Sequence, residues 1–322
     1  GSDTLQIITT AATLADADFT GVSNIEALTF VTIASSDTDL GAEYSESGSS
    51  TITLAATVND LNLDSVTTAQ TLNLVAGTDT IDASSMTAAL TVNVDSNDLT
   101  NGDTITAGTG TGDILEIDYD SSATASTALA NVTGFETFKF ADGDVANSLT
   151  LVDGNVASTK TLTIDTTINV TSVSTISIAN ETDGGVTILG GAGGNTVTAS
   201  VSSIGDTFTG GSGTDGITIA VAQLTSADTF NGVSGTDTIT LSDAGSIADS
   251  DLTGITNFDA FTLANGANTI VFGAEFEESG IATVTGGTGA DSITFGSGVT
   301  TAVTVAMGGS AGDDTISFEA AS

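Results

Sequence analysis

The sequence predicts an all-β chain wound as a parallel β-solenoid with coils of about 20–22 residues, and three observations carry that prediction. Runs of four or five residues alternate an apolar side chain with threonine, serine or asparagine, the period of a strand with one buried face. Glycine-rich turns separate those runs, and in the clearest stretch the Asx residues fall at 195, 206, 215, 228 and 237. Turns thus recur every 9 to 13 residues, and a full period holds two short strands and two turns. No helical periodicity of comparable length competes with this pattern.

Taken in order, strands are expected at 50–54, 71–75, 90–94, 161–164, 175–178 and 186–189, each apolar inward and polar outward. Helical turns are expected at only two places, 124–130 and 274–279. Segments 19–30, 129–140 and 252–263 read alike: an apolar residue, threonine, a short spacer, an acid and an alternating strand. With no proline-rich or serine-rich linker, the expectation is one continuous solenoid over 1–322 in approximate modules 1–125, 126–248 and 249–322, about 15 coils in all. The opening Gly1-Ser2 in place of methionine reads as a fragment, a processed product or a cloning remnant.

The turns share one composition. Gly210-Gly211-Ser212-Gly213-Thr214-Asp215 and Gly286-Gly287-Thr288-Gly289-Ala290-Asp291 fit G-G-x-G-x-D followed by a strand. The turn ending at Asn195 has an amide for the acid, Gly232-Val233-Ser234-Gly235-Thr236-Asp237 has valine for the second glycine, and 308–314 carries an extra residue before Asp314. Reduced turns end at Asp206 and Asp228, and weaker ones in the first module at Asp79, Asp103 and Asp113. Glycine lets a tight turn take positive φ and point carbonyls at one spot, while aspartate adds charge. The alternative for each aspartate is an ordinary Asx turn, bonded to its own backbone.

Composition narrows the function. The chain has 41 acidic side chains, 31 of them aspartate, against Lys139 and Lys160, for a net charge of -39. Such a charge repels nucleic acid and anionic membrane and makes metal cations the natural counterions. The 39% apolar content, arranged in alternating runs, still allows a core. Without histidine or cysteine there is no Ser-His-Asp or Cys-His arrangement and no histidine-bound zinc. A polysaccharide lyase on such a scaffold lacks its arginine, and a hydrolase with paired aspartates lacks aromatic platforms, since the chain has two tyrosines and no tryptophan. An enzyme is not expected. No apolar run approaches membrane-spanning length.

The motif-bearing stretches, 190–240 and 286–318, resemble the repeats-in-toxin family of secreted calcium-binding proteins, and the wider composition is similar to bacterial surface-layer and giant surface proteins that carry such repeats. The resemblance implies a β-roll with Ca2+ between successive turns, held by aspartates and turn carbonyls. Carried onto this sequence, it implies Asp215 and Asp237 with Gly210, Gly213, Gly232 and Gly235 as the leading site. Asp206 with Asp228 would form the opposite edge, Asp291 with Asp314 beside Gly286 and Gly289 a further one, and Asn195, Asp79, Asp103 and Asp113 weaker positions.

The function expected is that of an extracellular structural protein, secreted or on a bacterial cell surface, stabilised by calcium and self-assembling into a surface layer or filament. Its partners would be copies of itself and, as a further candidate, a cell-surface polysaccharide. An adhesin stalk is the contending class. A third reading comes from Thr-x-Thr pairs at 51/53, 104/106, 161/163, 196/198, 207/209, 238/240 and 283/285, which resemble the surface of ice-binding β-solenoids but are expected to spread over two faces. Asn131, Asn169 and Asn180 head glycosylation-type triplets.

Overall fold

A computed structural model of the chain describes residues 1–8, 13–32, 37–56, 59–119, 123–124, 128–141, 146–309 and 312–319. It is an all-β parallel solenoid of about 13 turns, 7% helical, in two compact units, Gly1–Asp165 and Thr166–Ser322. Stacked strands are 20 residues apart between Asn59 and Asp79 but 24 between Asp79 and Asp103. Coils longer than about 21 residues account for fewer turns than the sequence spacing suggested.

In the first unit the main sheet runs through Thr4–Ile8, Ala27–Thr32, Thr51–Thr53, Gln70–Asn73, Leu90–Asp95, Ile114–Asp118, Thr137–Phe140 and Thr161–Asp165, every neighbour parallel. Alternation puts Leu28, Ile52, Leu72, Val92, Leu115, Phe138 and Ile164 in one register column, each at most 1% exposed. Burying such a side chain stabilises the fold by roughly 1.5–3 kcal/mol, so this column anchors the unit. A second sheet, Asp37–Asp39, Asn59–Asn62, Asp79–Asp82, Thr104–Thr106 and Val132–Thr133, forms another wall.

The second unit repeats the plan. One sheet stacks Gly185–Leu189, Thr207–Thr209, Thr229–Asn231 and Ile255–Thr256. Another stacks Ser174–Ser177, Asn195–Thr198, Asp215–Ile219, Thr238–Leu241, Ala260–Thr262, Thr283–Thr285 and Thr304–Ala306. A third takes Ser246–Ile247, Thr269–Phe272, Ser292–Phe295 and Thr315–Phe318. The inward column Ile176, Val197, Ile217, Ile239, Phe261 and Val284 is buried throughout.

Among the described residues each unit contains one short α-helix, α1 (Ala42–Glu46) and α2 (Ala274–Ser279). The second was expected; the first was not. Residues 125–127 of the other expected helical turn lie outside the described residues, and 123–124 are a strand. Both helices start on the same device. Asp16 accepts the N–H groups of Gly41, Glu43 and Tyr44 at 2.8, 3.1 and 2.8 Å, and Asp249 those of Gly273, Glu275 and Phe276 at 2.6, 3.1 and 3.0 Å. An aspartate from the preceding coil thereby satisfies donors that a helix start leaves open. The helix side chains Tyr44 and Phe276 are fully buried, and Gly280 closes α2 with φ +84°.

Among the described residues no helix is long and apolar enough to cross a membrane. Asn169 is fully buried, its amide donating to Ser174 Oγ at 2.5 Å, so that triplet does not present an acceptor for glycosylation.

Candidate metal-binding turns

The Asx residues head successive strands and stack in columns, and one rule describes their bonding: the side chain accepts a hydrogen bond from the coil before it. In the second unit Asn195 donates Nδ2–H to Asp215 Oδ1 at 2.8 Å, Asp215 N–H donates to Asp237 Oδ1 at 2.8 Å, and Asp237 N–H to Asp259 Oδ2 at 2.7 Å. On another edge Val186 N–H donates to Asp206 Oδ1 at 3.2 Å and Asp206 N–H to Asp228 Oδ1 at 3.0 Å. A third column runs Asn268, Asp291, Asp314, with N–H donors at 3.1 and 3.0 Å. In the first unit Asn59 and Asp79 donate to Asp79 and Asp103 at 3.2 and 2.8 Å, and Leu90 N–H to Asp113 at 2.7 Å. An N–H within one residue of the start of each strand is thereby satisfied.

The second carboxylate oxygen turns back to its own turn. Asp103 Oδ2 accepts from Thr100 N–H at 2.7 Å, Asp113 Oδ2 from Gly108 N–H at 3.1 Å, Asp206 Oδ2 from Ser200 Oγ at 2.7 Å, Asp215 Oδ2 from Gly211 N–H at 3.2 Å, and Asp228 Oδ2 from Thr225 N–H at 2.8 Å. Asp79, whose Oδ1 takes both the N–H and the Nδ2–H of Asn59, does not follow this return pattern, and among the described residues two column oxygens break it while buried. Asp237 Oδ2 and Asp291 Oδ2 are buried without a hydrogen-bond partner.

The glycines serve this folding-back more than they serve φ. A Cβ on Gly210 or Gly232 would collide with Oδ2 of Asp215 or Asp237, and one on Gly286 would stand 3.1 Å from Asp291 Oδ2. Of the six glycines in the predicted sites only Gly235 and Gly289 have positive φ, at 139° and 145°; Gly210, Gly213, Gly232 and Gly286 do not. The expectation that these turns depend on positive φ is corrected to that extent: close approach is the commoner reason. Residues 310–311 of the turn before Asp314 lie outside the described residues.

Electrostatics follows burial. Asp79, Asp206 and Asp237 are pushed up to about 6, chiefly by desolvation; the Asp103, Asp228 and Asp215 carboxylates in their columns add to it. Burial also raises Asp113, Asp215 and Asp228. A stack of buried carboxylates with raised pKa holds charge that the protein itself does not neutralise. A hard cation suits such oxygens. By the test of a free lone pair, Asp237 and Asp291 fit a cation best, whereas Asp103, Asp113, Asp206, Asp215 and Asp228 already have donors on both oxygens.

Sequence reasoning did not find Asp259, Asn59 and Asn268, which extend the columns without a glycine run. The available signal was position: each lies 20 to 23 residues from its column neighbour.

A second surface is regular. On the second unit's strands from Ser174–Ser177 to Thr283–Thr285, Ser177, Thr198, Thr218, Thr240, Thr262 and Thr285 stand opposite one another in register on the outward face. Beside them run Thr175, Thr196, Gly216, Thr238, Ala260, Thr283 and Thr304. Other Thr-x-Thr pairs do lie on other sheets, as Thr207 and Thr209 do, yet the first of these columns has no break between Thr198 and Thr285.

No protein-family model, no curated protein and no solved structure matches the chain.

Proposed function

We propose that this chain is an extracellular structural protein of the repeats-in-toxin type, in which Ca2+ staples successive turns and the stapled solenoid associates with copies of itself into a layer or filament. The observation that carries the reading is the pair of buried, donor-free oxygens, Asp237 Oδ2 and Asp291 Oδ2, each in a column of stacked Asx side chains. A buried carboxylate oxygen without a donor costs about 1–3 kcal/mol or more, which a bound cation would offset. Asp237 and Asp291 would each hold an ion of their own, with Asp215 beside the first and Asp314 beside the second in the columns. The ion supplies the positive charge that a chain with two basic residues lacks.

A structural role, without catalysis, agrees with the absence of histidine, cysteine and arginine from the sequence. Secretion and a cell-surface location belong to the same proposal, because external calcium in the millimolar range suits weak, turn-based sites. The decisive experiment is circular dichroism with light scattering on the chelator-treated chain during a calcium titration. A gain of β signal followed by scattering is expected. An unchanged spectrum with no scattering at any calcium level overturns the proposal, and a gain of β signal without association moves it to a monomeric adhesin stalk.

The unbroken column from Thr198 to Thr285 favours a second reading, an ice-binding face. Threonines in register on parallel strands repeat every ~4.8 Å and present methyl and hydroxyl groups on one flat surface. Inhibition of ice recrystallisation by the intact chain would establish it, and its absence would return the column to ordinary outward strand residues.

A further inference from the structure

Among the described residues of the second unit, one buried carboxylate belongs to no Asx column. Glu181 is fully buried at the loop between Ile178 and Gly185. Its Oε1 accepts three successive backbone N–H groups, from Thr182 and Asp183 at 3.0 Å each and from Gly184 at 2.6 Å. Its Oε2 is buried with no hydrogen-bond partner. Asp183, two residues on, is exposed to solvent, and a carboxylate oxygen of Glu181 and one of Asp183 lie within 4.8 Å of each other.

From this arrangement we infer a calcium site at the 180–185 loop, distinct from the glycine-rich turns, with Glu181 as the fixed inner ligand and Asp183 as the solvent-side ligand. The three N–H groups lock the Glu181 carboxylate in one orientation, so one oxygen is held ready while the other is occupied. Oxygen ligands on one Ca2+ sit at about 2.3–2.6 Å, so two of them are at most about 5 Å apart, which the Glu181–Asp183 separation satisfies. Two carboxylates that close repel unless a cation lies between them. The second unit has no lysine, arginine or histidine anywhere in its sequence, so that charge has to come from outside it. Exposure of Asp183 gives the ion a route in and leaves room for water ligands. An open, oxygen-only loop suits calcium better than magnesium, which demands near-ideal octahedral geometry.

Isothermal titration calorimetry of CaCl2 into the chelator-treated full chain tests the site, with Glu181→Gln and Asp183→Asn compared against the parent and against Asp237→Asn. Each of the two loop variants is expected to bind one ion fewer per chain than the parent. Asp183→Asn is a surface change, so its loss of an ion would not reflect misfolding, and circular dichroism of both variants checks that the β spectrum is kept. Parent stoichiometry in Asp183→Asn and Glu181→Gln overturns this site even if Asp237→Asn loses an ion. Loss in the loop variants with no change in Asp237→Asn supports this site and counts against the turn site at Asp237. A parent chain that binds no calcium overturns both.

Discussion

Val233 N–H donates to Asn231 Oδ1 at 2.9 Å, while the equivalent N–H in the preceding coil, that of Gly211, donates to Asp215 Oδ2 at 3.2 Å. The difference explains why Asp237 Oδ2 is left without a donor. Val233 stands where the repeat places its second glycine and is held at φ 71°, a region that a β-branched side chain adopts only under strain. Val233→Gly should therefore stabilise the chain by about 1 kcal/mol, the left-handed penalty less the entropy of an added glycine. Denaturant unfolding in chelator measures it; an equal or lower midpoint would mean the turn is not strained.

Asp237→Asn separates charge from shape. The amide keeps an oxygen for Asp215 N–H and replaces the unpartnered oxygen with a donor. Thermal unfolding in chelator should shift upward, and the further shift produced by calcium should shrink. A variant whose calcium response equals that of the parent would remove Asp237 from the proposed metal site.

The buried aspartates make stability depend on pH in a definite sense. Asp79, Asp206 and Asp237 titrate near 6 in the folded chain against an ordinary value of 3.8. Between those values the native state binds more protons than the unfolded one, so stability rises as pH falls. The metal-free chain should melt at a higher temperature at pH 5 than at pH 8, with the gain complete near pH 4. Calcium should flatten this profile, since ion and proton neutralise the same oxygens. A melting temperature that falls from pH 8 to pH 5 without calcium would contradict the assignment.

The helix-starting aspartates give a control that no metal should influence. Asp16→Ala and Asp249→Ala each remove the acceptor of three N–H groups and should cost about 1–2 kcal/mol, in the range of lost helix caps. Equal losses with and without calcium are expected in denaturant unfolding. A calcium-dependent loss would place a cation at these carboxylates.

For the threonine column, Thr240→Tyr puts a bulky ring at the middle of the rank. Inhibition of ice recrystallisation, if the parent has it, should be lost at an unchanged melting temperature. Retained inhibition would move ice contact to another face.

Much of this architecture could be read from residue order. Strands such as Thr161–Asp165 and Gly185–Leu189 lie within a residue of their expected positions because alternation of apolar and threonine has one low-energy solution on a pleated surface. Column partners such as Asp215 and Asp237 were visible because a glycine run announces the turn. Asp259 was not, because Phe258 and Ala260 flank it and only the 22-residue offset places it in the column. Helix α1 escaped because five residues hold too little periodicity, and what starts it is Asp16, 25 residues before Gly41. The threonine column was concealed by Gly216 and Ala260, which interrupt Thr-x-Thr in sequence while leaving Thr218 and Thr262 in register. Glu181 lies inside the Asn180 triplet, a pattern that says nothing of a cation; its burial and its three donors single it out.

The Asx columns also give each unit a grain. In the rungs from Asn59 to Asp79, Asp215 to Asp237 and Asp291 to Asp314, the earlier coil donates the hydrogen bond through its N–H and the later coil's carboxylate accepts it. A coil emerging from the ribosome is therefore unfinished until its successor arrives, and growth proceeds with one open rung at the leading edge. Cutting a unit short strands the N–H of the last surviving coil, whereas trimming its start removes a donor and leaves a carboxylate that water or a cation can serve. Vectorial synthesis and the bonding pattern run the same way, which suits a long repetitive chain that must wind up in order.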